Sequence, residues 1–217
     1  MLMKTITLDL YTEITCPWCL IGVHRLNRVI ENLDSAVAID IRHHPVILMP
    51  DTPPEGLNIV DLIRQRYGIT DPQAGWARAH AEARASGLDL DLGRQPHAYP
   101  TLAAHTLVRL AGALGTQHAL ATEFMEAYFL DAANIGDPDT LAEIAVDHGF
   151  GLEESCRLAC DPGEMEVTRQ AVNESMASGI HSVPHYVINR DIALTGCVSE
   201  KALAEALSGA GNEQAVI

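Results

Sequence analysis

The sequence predicts an α/β fold in which a large all-helical insertion separates an N-terminal βαβ unit from a C-terminal ββα unit. Three observations carry this. The apolar run Ile6-Thr7-Leu8-Asp9-Leu10-Tyr11 leads into a helical pattern and then into the alternating stretch Val37-Ala38-Ile39-Asp40-Ile41-Arg42-His43. From Leu57 to about residue 178 the periodicity is helical. Strand signals return at His185-Tyr186-Val187-Ile188-Asn189 and Ile192-Ala193-Leu194-Thr195, followed by one more helical stretch.

Taken in order, residues 4–12 read as a buried strand and residues 16–33 as a helix ending near Asn32-Leu33-Asp34. With the second strand they form a right-handed βαβ unit holding a parallel pair. The proline-rich stretch Pro45 to Gly56 cannot be regular and reads as an ordered apolar loop. The helical region breaks at Gly68, Gly87, residues 93–100, Gly115, Gly136-Asp137-Pro138, Gly149-Phe150-Gly151 and Asp161-Pro162-Gly163. Asp137-Pro138 and Asp161-Pro162 are helix starts, an Asp cap followed by proline in the first turn. The last two strands form a hairpin turning at Asn189-Arg190-Asp191. Ser199 caps a final helix from Glu200 to about Ser208, and the tail from Gly209 to Ile217 is expected to fray. The expected divisions are 1–50 and 179–210 for the two halves of the α/β domain, 51–178 for the helical insertion, and 211–217 for a tail. There is no fixed-period repeat and no low-complexity linker.

At 217 residues and 47% hydrophobic content the chain can bury a sizeable core. A formal net charge of −15 argues against nucleic acid or an anionic membrane as partner. The stretch Met1-Leu2-Met3-Lys4-Thr5 carries no export signal, and no apolar run is long enough to span a membrane, so the expected location is cytoplasmic. Five cysteines in a compartment that keeps thiols reduced argue against a structural disulfide framework. No phosphate loop, dinucleotide fingerprint or haem-attachment motif is present, and no organic cofactor is implied.

The chemistry centres on Cys16-Pro17-Trp18-Cys19, two thiols three apart where the first strand passes into the first helix. A helix N-terminus has unpaired N–H groups and partial positive charge, which stabilise a thiolate at Cys16, the candidate nucleophile. Cys19, about one turn further in, is the candidate resolving thiol. Pro17 fits the first turn, where its missing N–H costs nothing. A structural zinc site would need a second pair at ligand spacing. Cys156 and Cys160 are wrongly spaced for one, so no metal is assigned.

The CPWC stretch, Ser182-Val183-Pro184 ahead of a strand, and Phe124 to Asp137 (FMEAYFLDAANIGD) resemble the cytoplasmic DsbA-like family of the FrnE type, over nearly the whole chain. That family is related to 2-hydroxychromene-2-carboxylate isomerases and kappa-class glutathione transferases. The resemblance implies a thioredoxin-like fold, thiol–disulfide oxidoreductase activity, and a cis Pro184 facing the CxxC. It further implies that Val183 pairs with an extended substrate, and Pro17 and Trp18 join the substrate-binding set. Glu13 matches an acidic position of the family and, if partly buried, is a candidate proton relay to Cys19, against a reading as a solvated strand-end residue.

The chain also departs from the pattern. Trp18 stands where many DsbA-type proteins have histidine; it carries no positive charge, so a less oxidising couple is expected, with the ring as an apolar substrate platform. Pro100 and Thr106 replace Asn and Arg of a family segment, and His105 in that segment reads as a helix-packing histidine ahead of a functional one. His181 and His185 flank the Ser182-Val183-Pro184 loop as further proton-relay candidates, against a reading in which both face solvent. Cys197 is a candidate third thiol for trapping a mixed disulfide or completing a metal site with Cys16 and Cys19, or else a small buried apolar residue. Cys156 and Cys160, at helical spacing, read as core positions sharing one face.

The leading functional expectation is a dithiol–disulfide oxidoreductase acting on protein or small-molecule thiols and disulfides, with glutathione a candidate co-substrate and the chain a monomer or homodimer. One alternative is a glutathione-dependent isomerase or transferase, against which Cys19 counts, since those relatives generally lack the second cysteine. Another is a chaperone-like binding module using the groove beside Trp18 and Pro184.

Overall fold

The computed structural model describes residues 4–33 and 37–213. Its organising element is β1 (Lys4–Thr12), which is paired along both edges. On one side it runs parallel to β2 (Val37–Pro45), Leu8 opposite Ile41. On the other it runs antiparallel to β5 (His185–Ile188), which continues the sheet into β6 (Ile192–Thr195) to give the order β2-β1-β5-β6. Ile6, Leu8 and Leu10 of β1 are buried and alternate with more accessible Thr7, Asp9 and Tyr11. With the period of two, Tyr186 and Ile188 join Leu10 and Leu8 on the buried face, while His185 and Val187 join Tyr11 and Asp9 on the other.

Between β1 and β2 runs α1 (Pro17–Glu31), a helix with Cys19, Leu20, Val23 and Leu26 in the core. A final helix, α9 (Glu200–Glu213), packs beside it against β1 and β5. Ser199 caps α9, its hydroxyl accepting the Ala202 N–H at 3.2 Å. The fraying expected from Gly209 does not hold for residues 209–213, which are helical: Leu203, Leu207 and Ala210 form a buried stripe that carries the helix past Gly209. The remaining tail residues 214–217, like Met1-Leu2-Met3 and Asp34, lie outside the described residues.

The intervening stretch holds α2 (Ile59–Tyr67), α3 (Pro72–Ala85), α4 (Leu102–Ala111), α5 (Gln117–Leu130), α6 (Pro138–Val146), α7 (Leu152–Ala159) and α8 (Pro162–Ala177). Asp137 and Asp161 cap α6 and α8, accepting the Thr140 and Glu164 N–H groups, and Asp71-Pro72 repeats the device on α3. Each such cap is worth about 1 kcal/mol. The stretch is not entirely helical: β3 (Leu57–Asn58) pairs antiparallel with β4 (His97–Ala98), a two-residue ladder too short to show a period in sequence. Among the described residues no helix is long and apolar enough to cross a membrane.

The expectation that Cys156 and Cys160 are core residues is corrected. Cys160 is exposed and caps the end of α7, and half-buried Cys156 donates to Asp139 Oδ1 at 3.2 Å. The buried i, i+4 pair is Ser155 and Ala159, one position earlier: α7 packs closely on α6, and small side chains permit that approach.

Candidate functional site

The turn from β1 into α1 places the two thiols. Cys16 is the N-cap of α1, in extended conformation, and Pro17 opens the first turn. The Cys19 and Leu20 N–H groups both donate to Cys16 O, at 2.9 and 3.2 Å. Both cysteines are free and buried, Cys16 being 5% exposed and Cys19 0%. Their acidities diverge. The Cys16 thiol is lowered from its ordinary value, chiefly by a hydrogen bond from Cys19, helped by the backbone N–H groups of Cys19 and Trp18 and opposed by burial. The Cys19 thiol is raised well above its ordinary value, first by burial and then by donating that hydrogen bond. The two sulfurs are thus set in opposite directions, Cys16 more acidic and Cys19 less acidic than an ordinary thiol.

Glu13 lies behind them at 1% exposure. Its Oε2 accepts the Leu48 N–H at 2.9 Å, and Oε1 lies 3.3 Å from His105 Nε2. His105, for which packing is the first sequence reading and a functional role the second, is thereby the side-chain partner of buried Glu13.

The Val183–Pro184 peptide is cis. Pro184 and Tyr186 press onto α1 at Gly22, where a Cβ would sit 2.4 Å from Tyr186 Oη and 2.9 Å from Pro184 Cγ. Glycine in a helix interior costs about 1 kcal/mol relative to alanine, and the close approach of the loop explains its presence. The Tyr186 hydroxyl is buried with no hydrogen-bond partner among the described residues. Val183 is also buried, while Trp18 is half-buried beneath the Arg78 guanidinium, 5.1 Å above its ring.

Cys197 is half-buried at the end of the hairpin, in contact with a residue that the sequence did not single out. Arg25 of α1 is buried and donates from Nη1 to the Cys197 sulfur (3.3 Å) and carbonyl (3.2 Å) and to Val198 O (3.1 Å). Its Nε reaches Ser86 Oγ at 2.7 Å and its Nη2 Glu82 Oε2 at 2.6 Å. The Cys197 thiol is nonetheless raised, because burial outweighs the nearby guanidinium. Among the described residues no three His, Cys, Asp or Glu side chains converge as a metal would require.

The flanking histidines are not tied to the dithiol by any described hydrogen bond. His181 is exposed; His185 bonds Thr195 Oγ1 at 2.7 Å and meets the Tyr11 ring edge-on, on the sheet face opposite Tyr186. A different pair is linked instead, buried His43 and half-buried His118. His43 Nδ1 lies 3.3 Å from Thr12 Oγ1 and its Nε2 2.8 Å from His118 Nδ1, while His118 Nε2 reaches Asn27 Oδ1 at 2.7 Å. Burial pushes His43 well below the ordinary imidazole value and His118 down to about 4.

A probable DsbA oxidoreductase from Streptomyces coelicolor has a similar structure, 25% identical, with a TM-score of 0.85 and coverage of 96% of this chain and 91% of that one. The cytosolic disulfide reductase DsbM from Pseudomonas aeruginosa, solved with GSH, is 17% identical at a TM-score of 0.66, with 97% and 100% covered. A 2-hydroxychromene-2-carboxylate isomerase is 13% identical at 0.72, with 96% and 98% covered. The last two likenesses show the fold alone. The model of the DSBA-like thioredoxin domain matches residues 7–208, from the middle of β1 through the dithiol turn and the cis-proline loop into α9. With a four-stranded sheet in the order β2-β1-β5-β6 and a paired dithiol at its first strand-to-helix turn, this chain belongs to the DsbA-like thioredoxin-domain family.

Proposed function

We propose that the chain exchanges dithiols for disulfides through Cys16 and Cys19. The observation that carries this reading is the opposed setting of two sulfurs one helical turn apart, Cys16 at the N-cap of α1 and made more acidic, Cys19 fully buried and made less acidic. The Cys16 thiolate attacks one sulfur of a substrate disulfide, forming a mixed disulfide and releasing the first substrate thiolate. Cys19 gives up its proton, for which buried Glu13 is the acceptor and His105 the next group in line. The Cys19 thiolate then attacks the Cys16 sulfur, releasing the second substrate thiolate and leaving Cys16–Cys19 oxidised. The substrate gains two electrons and the protein loses two; in reverse the same steps oxidise a dithiol. Val183 presents its main chain to an extended substrate, and Trp18 supplies an apolar surface beside the sulfur. A reducing cytosol suits this exchange, since it keeps the Cys16–Cys19 pair in the dithiol form that the first attack needs. An isomerase that only activates bound glutathione would leave Cys19 without a role, so the dithiol supports exchange over isomerisation.

Equilibrating the purified protein against glutathione buffers, with Cys16→Ser as control, tests the reading. A two-electron transition absent from the variant is expected, and its midpoint indicates the favoured direction in a cell. A wild-type protein without any such transition would overturn it.

A further inference from the structure

Ile59, Leu62, Ile63, Arg66 and Tyr67 lie at positions i, i+3, i+4, i+7 and i+8 of α2 and form one stripe. In an ordinary amphipathic helix such a stripe enters the core, yet α2 has no fully buried residue. The stripe instead lines a hollow of about 410 Å³ that opens on Cys16 and is walled by Trp18, Met49, Trp76 and Phe129. That volume suits a small molecule. Two of the polar side chains in the wall are already engaged: Gln95 Nε2 donates to Tyr128 O and Ala133 O, its Oε1 accepts the His97 N–H, and the Tyr128 hydroxyl donates to His97 O, which leaves the small Thr15 hydroxyl as a neutral polar group of the lining. Charge at the rim is of one sign. Arg66 closes the stripe and Arg78 lies over Trp18, and neither makes an ion pair with a described residue, although the chain as a whole carries −15.

Resting on the exchange reading above, we propose that this hollow binds the small-molecule partner of the exchange: a low-molecular-weight thiol, or its disulfide, with a flat apolar body and a single carboxylate, the body against α2 and Trp76 and the carboxylate on Arg66. The wall is poorly matched to glutathione, whose two carboxylates, ammonium and two amides each need a polar partner. Chemistry at Cys16 is the thiolate exchange already described.

Protection of Cys16 from iodoacetamide, read by mass spectrometry of its peptide in the reduced protein, tests this without turnover. The probes are 2-naphthoate, neutral 2-naphthamide and S-methylglutathione, with Cys156 as an internal control outside the hollow. Saturating 2-naphthoate is expected to slow Cys16 alkylation at least fivefold and leave Cys156 unaffected. The half-protecting concentration is expected to be at least fivefold higher for naphthamide, and to rise for naphthoate to the same extent in Arg66→Gln, whose melting temperature reports that it has folded. Absence of protection, equal protection by the amide, or protection by S-methylglutathione at a lower concentration than naphthoate would each overturn the proposal. The assay needs a reactive Cys16 but no redox couple, so its failure is distinguishable from failure of the exchange reading.

Discussion

Gly22→Ala probes the junction on which the site is built. An alanine Cβ there approaches Tyr186 Oη about 1 Å more closely, and Pro184 Cγ about 0.5 Å more closely, than the 3.4 Å at which ordinary contact begins. Neither neighbour can easily give way, because Tyr186 is fully buried and Pro184 is a ring in a fixed loop. Overpacking of this kind costs up to about 3 kcal/mol, and the better helix propensity of alanine returns about 1 kcal/mol. The net loss is about 2 kcal/mol, which for a chain of this size lowers Tm by about 4–8 °C. Tyr186→Phe alone removes a hydroxyl with no partner among the described residues and should change Tm little. Combined with Gly22→Ala it removes the nearer of the two overlaps and should recover about 1 kcal/mol, a coupling that a double-mutant cycle of thermal melts measures directly. A Gly22→Ala protein as stable as the parent, or strictly additive effects of the two substitutions, would refute the close packing of α1 on the cis-proline loop.

Three further outcomes follow from the same structure. The unfolded chain protonates histidine near pH 6.5, whereas native His118 does so only at about 4 and His43 well below its ordinary value. Their stabilising contribution is therefore complete above pH 6.5 and is lost as pH falls towards 4. For His118 the loss at pH 5 is about 2 kcal/mol, and His118→Gln should flatten the urea midpoint over this range. Cys19→Ala removes the hydrogen bond that most lowers Cys16, so the ultraviolet thiolate titration of Cys16 should move to higher pH; an unmoved titration would refute that cause. Arg25→Ala should cost about 2–3 kcal/mol in urea unfolding through its lost hydrogen bonds, and Arg25→Lys should restore little, since an ammonium cannot span Ser86, Glu82 and Cys197 together.

Features set by neighbours in sequence were legible from it. The alternation of Ile6, Leu8 and Leu10, the Asp-Pro helix starts and the thiols at the head of α1 all depend on residues a few positions apart. What escaped depends on distant partners. His43 falls in phase with Val37, Ile39 and Ile41, so the alternation itself turns it to their face, but its partner His118, 75 positions away, is not visible in that pattern. Arg25 looks like a solvated helix cation until the α3 terminus and the hairpin end close around it. Cys156 and Cys160 had correct helical spacing but the wrong phase, because the buried face of α7 was chosen by the small residues that α6 can approach. The stripe on α2 was visible as helical periodicity, but that it would face a hollow rather than the core was not.

The position of β1 at the centre of the sheet also governs when the chain can work. Its first partner, β2, follows within a few dozen residues, but its second, β5, is the better part of the sequence away, and Pro184 comes 168 positions after Cys16. At about 5–20 residues per second a ribosome takes about 10–30 s to pass from one to the other. Throughout that interval the nascent chain carries two thiols on a helix whose opposing loop does not yet exist, and β1 presents an unpaired edge. The site therefore closes late and over a long range, and the β1 edge stays open to mispairing until the hairpin emerges.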